Sequence, residues 1–105
     1  MTLEELFKVV EARAKASSND SWTAKLLSKG PDKCAEKFGE EAVEVIIEAA
    51  KQNRTGLIKE SADVLFHLCV LLKSQNISLL DVMDELASRQ SKSGLAEKAS
   101  RLNVD

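Results

Sequence analysis

The stretch that decides the fold is Glu60-Ser-Ala-Asp-Val-Leu-Phe-His-Leu-Cys-Val-Leu-Leu72. Apart from the thiol of Cys69, its ionisable side chains are those of Glu60, Asp63 and His67, which a helical projection places on one narrow stripe. Apolar side chains cover most of the remaining circumference, and this predicts a largely buried helix. Because a buried carboxylate is tolerated only when it is paired, hydrogen-bonded or bound to a metal, the stripe needs a partner.

A second acidic stripe lies upstream, in Lys37-Phe-Gly-Glu-Glu-Ala-Val-Glu44. The carboxylates of Glu40, Glu41 and Glu44 fall within roughly a 100° arc of one helix. Like charges at this spacing repel each other by roughly a few tenths of a kcal/mol per pair on an exposed helix, and by more beside a packed interior. The full pattern is EExxE, fifteen residues, then ExxD. We therefore expect the two stripes to face each other and to share a cation.

Length and composition indicate one all-α domain over residues 1–105. The chain contains 44% hydrophobic residues, one Pro and four Gly, and it is rich in Ala, Leu, Glu and Lys. We expect an antiparallel bundle of four to five helices. The apolar arcs of the two central helices are wider than short flanking helices can cover, so we expect a homodimer to complete the core.

Capping residues, prolines and glycines predict where the helices begin and end. The predicted helices run from a Thr2 and Glu5 capping box to about residue 15, from a Ser21 cap through residue 27, from Pro31 to about residue 52, from about residue 57 to 73, and from a Ser78 cap through residue 86. Residues 53–56 are predicted to separate the third helix from the fourth. On pattern alone, residues 91–105 are a frayed end.

Charge and composition exclude several classes of protein. The net charge is −2 and the fifteen basic residues form no long run, which argues against a nucleic-acid or membrane-surface protein and favours a small-molecule ligand. The acidic start is unlike a signal peptide and no segment is apolar enough to span a membrane, so we expect a cytoplasmic protein. Cys34 and Cys69 lack metal-ligand spacing and are expected to be small core residues.

Clustered carboxylates on rigid helices suit Mg²⁺, with Mn²⁺ as a substitute, because these ions prefer hard oxygen ligands. The candidate metal ligands are Glu40, Glu41, Glu44, Glu60 and Asp63. Such a site favours phosphoanhydride chemistry, in which nearby cations stabilise the phosphates. The candidate phosphate-binding residues recur every four positions, at Lys25, Lys29, Lys33 and Lys37.

Other interpretations of the same residues stay open. The long helix by itself could carry a solvated, salt-bridged face, but that does not explain Glu60 and Asp63. His67 could orient a carboxylate or a water, or it could be an ordinary core histidine. A di-iron carboxylate bundle is disfavoured because it requires Glu-x-x-His, and Asp63 stands three residues after Glu60.

The acidic pattern resembles the all-α nucleotide pyrophosphatase superfamily, the MazG-like and dimeric dUTPase group, whose members bind Mg²⁺ through these acids. The flanking segments are more specific and resemble the phosphoribosyl-ATP pyrophosphatase family, the second enzyme of histidine biosynthesis. They are Ser21-Trp-Thr-Ala-Lys-Leu-Leu27, Lys29-Gly-Pro31, Lys37-Phe-Gly-Glu-Glu-Ala-Val-Glu44, Glu60-Ser-Ala-Asp63 with His67, and Ser93-Gly-Leu-Ala-Glu-Lys-Ala-Ser-Arg101.

The resemblance implies Mg²⁺-dependent hydrolysis of 1-(5-phosphoribosyl)-ATP to 1-(5-phosphoribosyl)-AMP and pyrophosphate. The family's catalytic metal acids carry over to Glu41, Glu44, Glu60 and Asp63, with Glu40 adjoining, and Lys98 and Arg101 become phosphate contacts. Trp22 stands where the family has Tyr, so its ring either stacks on a base or packs. Two alternatives remain: a related house-cleaning pyrophosphatase acting on a free nucleoside triphosphate, and a non-catalytic helical dimerisation module.

Overall fold

The computed structural model describes residues 1–90 and residues 94, 98 and 101. Within residues 1–90 the chain forms five α-helices and no strand, which confirms the all-α class. The helices are α1 (Leu3–Ala14), α2 (Trp22–Ser28), α3 (Pro31–Ala50), α4 (Arg54–Ser74) and α5 (Leu79–Arg89). The two longest, α3 and α4, pack against each other as an antiparallel pair, with α1 and α2 beside them.

Side-chain caps start most of the helices. The predicted capping box is present, because the Thr2 hydroxyl accepts from the Glu5 amide at 3.1 Å and the Glu5 carboxylate accepts from the Thr2 amide at 3.0 Å. Ser21 caps α2 and Ser78 caps α5 through one bond each, in which the serine hydroxyl accepts from the Ala24 or the Asp81 amide. Gly30 has a φ of 95°, which is accessible to glycine at little cost, and it directs the chain into Pro31.

The turn between α3 and α4 is shorter than the sequence predicts. The predicted break over residues 53–56 is wrong, because the Asn53 side chain accepts a hydrogen bond from the Gly56 amide at 3.1 Å and α4 begins at Arg54. Gln52 takes a left-handed φ of 57° and reverses the chain. The other predicted helix ends lie within two residues of the observed ones, except that α5 continues three residues past residue 86, to Arg89.

The core lies where α1, α2, α3 and α4 meet. Its buried residues are Phe7, Val10, Leu26, Cys34, Cys69, Val70 and Leu79. Both cysteines are free and buried, in agreement with the prediction that they are core residues. Burial raises the pKa of both thiols, although a hydrogen bond with Ser74 opposes this at Cys34. The thiols are therefore held in their unreactive protonated form.

The prediction that the fourth helix is largely buried is wrong for a single chain. In α4 only His67, Cys69 and Val70 are buried, while Ile58 is 60% exposed. The reason is that α1 and α2 are too short to cover both sides of the α3–α4 pair. The uncovered side forms an apolar groove of about 410 Å³, lined by Ala42, Val45, Ile46, Ser61, Val64 and Leu65.

In the described part of the chain, no helix combines the length and apolarity that crossing a membrane requires.

Candidate active site

The pairing of α3 with α4 aligns two stripes of functional residues. In α3 the stripe is Glu48, Glu44, Glu41 and Lys37, and in α4 the opposing stripe is Gly56, Glu60, Asp63 and His67. The short turn sets this register: the Glu48 carboxylate lies over Gly56, where a Cβ atom would collide with it. Both stripes advance by three or four residues, so they stay opposed along the helix pair.

Three carboxylates converge at the middle of these stripes. Oxygen atoms of Glu41, Glu60 and Asp63 all lie within 4.8 Å of one another. Partial burial raises the pKa of Glu60, and a hydrogen bond with Glu41 and the negative charges of Glu41, Asp63 and Glu44 raise it further. Three converging hard oxygen donors that resist being ionised together have the chemistry of a divalent-cation site. We call these three residues the acidic cluster.

The other two predicted metal ligands lie outside the acidic cluster. Glu40 is exposed and accepts a hydrogen bond from the Lys37 ammonium at 3.1 Å, which raises the pKa of Lys37. Glu44 is also exposed, but its charge contributes to the raised pKa of Glu60. Glu44 therefore borders the cluster, whereas Glu40 forms a surface ion pair with Lys37.

His67 is buried beside the acidic cluster, with only 7% of its surface exposed. Its ring meets the Phe66 ring edge-on, with centroids 5.3 Å apart, and within the described residues its Nδ1 atom has no hydrogen-bond partner. Burial lowers the pKa of His67, although the charge of Glu41 opposes this effect. A neutral imidazole with an unpaired buried nitrogen is suited to hold a water or a ligand group next to the carboxylates.

The predicted phosphate-binding lysines occupy different environments. Lys33 and Lys37 pair with the carboxylates of Glu36 and Glu40, at 3.2 Å and 3.1 Å. Lys25 and Lys29 instead line a polar cavity of about 440 Å³. In the C-terminal segment Lys98 and Arg101 are helical and exposed.

Trp22 also lines the polar cavity of Lys25 and Lys29, and its side chain is 52% exposed. The Lys29 ammonium lies 5.9 Å from the centre of the Trp22 ring. A second cavity of about 260 Å³ adjoins the first and shares Trp22, Asp20 and Ser21 with it. Its other lining residues are Arg13, Thr23 and Phe66. We call it the Arg13 cavity.

Sequence reasoning missed Arg13 and Phe66 as candidate site residues. Arg13 lies in the last turn of α1, where a basic residue is expected simply because it interacts well with the helix dipole. Phe66 has the pattern of a core residue. Only the packing of α1 and α2 against α4 brings both to one cavity, and no short-range signal in the sequence encodes that contact.

Comparison with known proteins shows the family to which this chain belongs. The family model for phosphoribosyl-ATP pyrophosphohydrolase matches residues 3–90. A phosphoribosyl-ATP pyrophosphatase of Ruegeria pomeroyi is 58% identical over 94% of this chain and 94% of its own length. The enzyme of the same name from Roseobacter denitrificans is 57% identical over 99% of both chains. The chain therefore belongs to the phosphoribosyl-ATP pyrophosphohydrolase family.

Proposed function

We propose that this chain hydrolyses 1-(5-phosphoribosyl)-ATP to 1-(5-phosphoribosyl)-AMP and pyrophosphate, the second step of histidine biosynthesis. One water is consumed and one phosphoanhydride bond, between the α- and β-phosphates, is broken. The observation that carries the proposal is the acidic cluster of Glu41, Glu60 and Asp63, which lies on the α3–α4 pair within the matched family region. The free triphosphate of the substrate is the group that such a cluster would bind through a cation.

The cation of this proposal is Mg²⁺, which Mn²⁺ can replace. Glu41, Glu60 and Asp63 would hold it, with Glu44 completing the set from one turn along α3. When bound, the metal would supply charge neutralisation for the phosphates and a position for the attacking water. The fit is supported by the raised pKa of Glu60, which a nearby cation would lower, and by the Nδ1 atom of His67, which has no hydrogen-bond partner within the described residues and is free to bind a water.

The basic residues have proposed roles around this centre. Lys25 and Lys29 line a cavity and are available to bind phosphate oxygens, whereas Lys33 and Lys37 would first have to leave their glutamate partners. Lys98 and Arg101 are proposed to contact the substrate from the C-terminal segment. Charge-assisted hydrogen bonds of this kind are worth roughly 1.5 to 3 kcal/mol each.

We also propose a cytoplasmic homodimer. Val43, Ile46, Ile58 and Leu65 are all exposed in the single chain, and the groove on this side of α3 and α4 is almost entirely apolar. Continuous apolar surface of this kind is characteristic of an interface, and a second copy would offer the same surface. A cytoplasmic location follows from a biosynthetic step that uses a free nucleotide.

The direct test is to incubate the purified protein and Mg²⁺ with phosphoribosyl-ATP, ATP and dUTP in parallel and to measure pyrophosphate release. We expect kcat/KM to be highest for phosphoribosyl-ATP and activity to vanish in excess EDTA. Preference for ATP or dUTP would instead indicate a house-cleaning nucleoside triphosphate pyrophosphatase. Full activity in EDTA would overturn the metal assignment.

A further inference from the structure

The Arg13 cavity is lined by a guanidinium group that forms no ion pair within residues 1–90. Arg13 is exposed in the last turn of α1, and no carboxylate in residues 1–90 forms an ion pair with it. By contrast Lys33 and Lys37, on the neighbouring helix α3, are both paired. A guanidinium presents its N–H donors in a rigid fork that matches two phosphate oxygens. The cavity therefore offers a site for an anion.

The rest of the lining suits a nucleoside rather than a bare anion. Trp22 and Phe66 both line the cavity with aromatic surface, which favours a flat base. Asp20 also lines it, and its carboxylate accepts a hydrogen bond from the Ser17 hydroxyl at 2.9 Å. A carboxylate has about four acceptor positions, so Asp20 can still accept from sugar hydroxyls. Its negative charge beside Arg13 also disfavours a highly charged group such as a triphosphate.

The cavity lies close to the acidic cluster. Phe66 follows Asp63 by three residues in α4, a rise of about 4.5 Å along the helix axis. A substrate whose triphosphate is held at the acidic cluster therefore has its base and more distant parts within reach of the Arg13 cavity.

We propose that the Arg13 cavity binds the ribosyl phosphate attached to the base of the substrate, with Arg13 contacting the phosphate, Asp20 the sugar hydroxyls, and Trp22 and Phe66 the base. This inference rests on the proposed function, since it is phosphoribosyl-ATP, and not ATP, that carries this second sugar phosphate. Arg13 is then a specificity-determining residue that selects the substrate against ATP. Arg13 lies in α1, whereas Lys98 and Arg101 lie in the C-terminal segment.

The kinetic test replaces Arg13 by Gln and uses Lys8→Gln as the matched control, because Lys8 is an exposed cation on the same helix that lines a different cavity. In Arg13→Gln we expect KM for phosphoribosyl-ATP to rise about tenfold or more, equivalent to about 1.4 kcal/mol per decade, with kcat within about twofold of wild type. Residual hydrolysis of ATP should be unchanged, and Arg13→Lys should recover part of the loss. Wild-type KM in Arg13→Gln would overturn the inference.

A binding test separates failure of this inference from failure of the proposed function. Trp22 is the only tryptophan of the chain, so its fluorescence reports on the cavity directly. Titration with ribose 5-phosphate should change the emission of wild type and of Lys8→Gln, and should not change that of Arg13→Gln. An unchanged wild-type emission together with wild-type KM in Arg13→Gln contradicts the subsite alone. A wild-type protein that does not hydrolyse phosphoribosyl-ATP contradicts the proposed function, and the titration then still tests the cavity.

Discussion

Adjacent glutamates of α3 have different surroundings because one residue rotates the side chain by about 100° around a helix. Glu40 points to the surface and pairs with Lys37, whereas Glu41 points toward α4 and meets Glu60 and Asp63. An exposed ion pair contributes little free energy, and converging carboxylates are costly without a cation. The two residues therefore form a natural pair of test and control.

Glu41→Gln should lower the affinity for Mg²⁺ by at least about tenfold and abolish pyrophosphate release, because even groups that only support a metal ligand typically cost 10- to 100-fold. Glu40→Gln should leave both properties close to wild type. Isothermal titration with Mg²⁺ and a pyrophosphate assay measure these effects. Equal losses in the two variants would contradict the distinction that the geometry draws between them.

The raised pKa of Glu60 predicts a pH dependence of the metal-free protein. Because the folded state holds this proton more tightly than the unfolded chain does, the contribution of Glu60 to stability is fully present below the ordinary glutamate pKa. It is lost as the pH rises through the raised pKa. In EDTA, the thermal midpoint of wild type should therefore fall relative to that of Glu60→Gln as the pH rises from the ordinary glutamate pKa through the raised pKa of Glu60. Addition of Mg²⁺ should reverse this fall. Parallel curves for the two proteins would refute the assignment.

At the scale of elements, the turn between α3 and α4 sets the register of the acidic cluster. Asn53 closes this turn by accepting from the Gly56 amide, and the Glu48 carboxylate occupies the space above Gly56. A helix that started three residues later would move the stripe of Glu60 and Asp63 away from Glu41. The cap therefore connects local sequence to the geometry of the site.

Asn53→Ala should reduce the free energy of unfolding by about 1 kcal/mol, because the Gly56 amide loses its acceptor. Asn53→Ser, which keeps a capping oxygen and adds no charge beside the Glu48 carboxylate, should remain near wild type. Urea denaturation at one fixed protein concentration measures both. An equal loss of stability in the serine variant would show that the cap is not the cause.

The C-terminal segment is predicted differently by the spacing of its residues and by the family resemblance. The spacing predicts a frayed end, whereas the resemblance implies that Lys98 and Arg101 contact phosphate. Most of residues 91–105 lies outside the described residues, including Ser93, although residues 94, 98 and 101 are helical. We side with the resemblance: deletion from Ser93 should raise KM for phosphoribosyl-ATP about tenfold or more and barely change the thermal midpoint. The full-length double variant Lys98→Gln/Arg101→Gln should reproduce the kinetic effect. Wild-type kinetics in both proteins would leave substrate selectivity to the residues around Trp22 and Arg13.

At the scale of the whole molecule, the exposed apolar side of α3 and α4 predicts self-association. Ile46 is 65% exposed in the single chain and lines the apolar groove. Ile46→Glu should shift the protein from dimer to monomer in light scattering, since an unpaired charge buried in an interface costs roughly several kcal/mol. Ala12→Glu, at an exposed position of α1, is the control and should stay dimeric. A folded wild-type monomer at micromolar concentration would contradict the prediction.

Local rules within the sequence were sufficient for most of the helix bounds and for recognising the acidic pattern. Caps such as Thr2 and Ser21 act over three or four residues, and the spacing of apolar residues and carboxylates reveals the two acidic stripes. These features depend on neighbours in the chain, so they could be predicted without coordinates. The same rules failed at Asn53, where turn and helix-cap signals are alike.

Only the tertiary structure decided which side chains meet. That Glu41 rather than Glu40 joins Glu60 and Asp63 depends on the register of two helices, and an error of one residue would exchange them. The cavity between Arg13 and Phe66 depends on contacts across fifty-three residues of chain. Periodicity shows that a helix face is apolar but not which surface covers it, because burial is a property of the packed helices together.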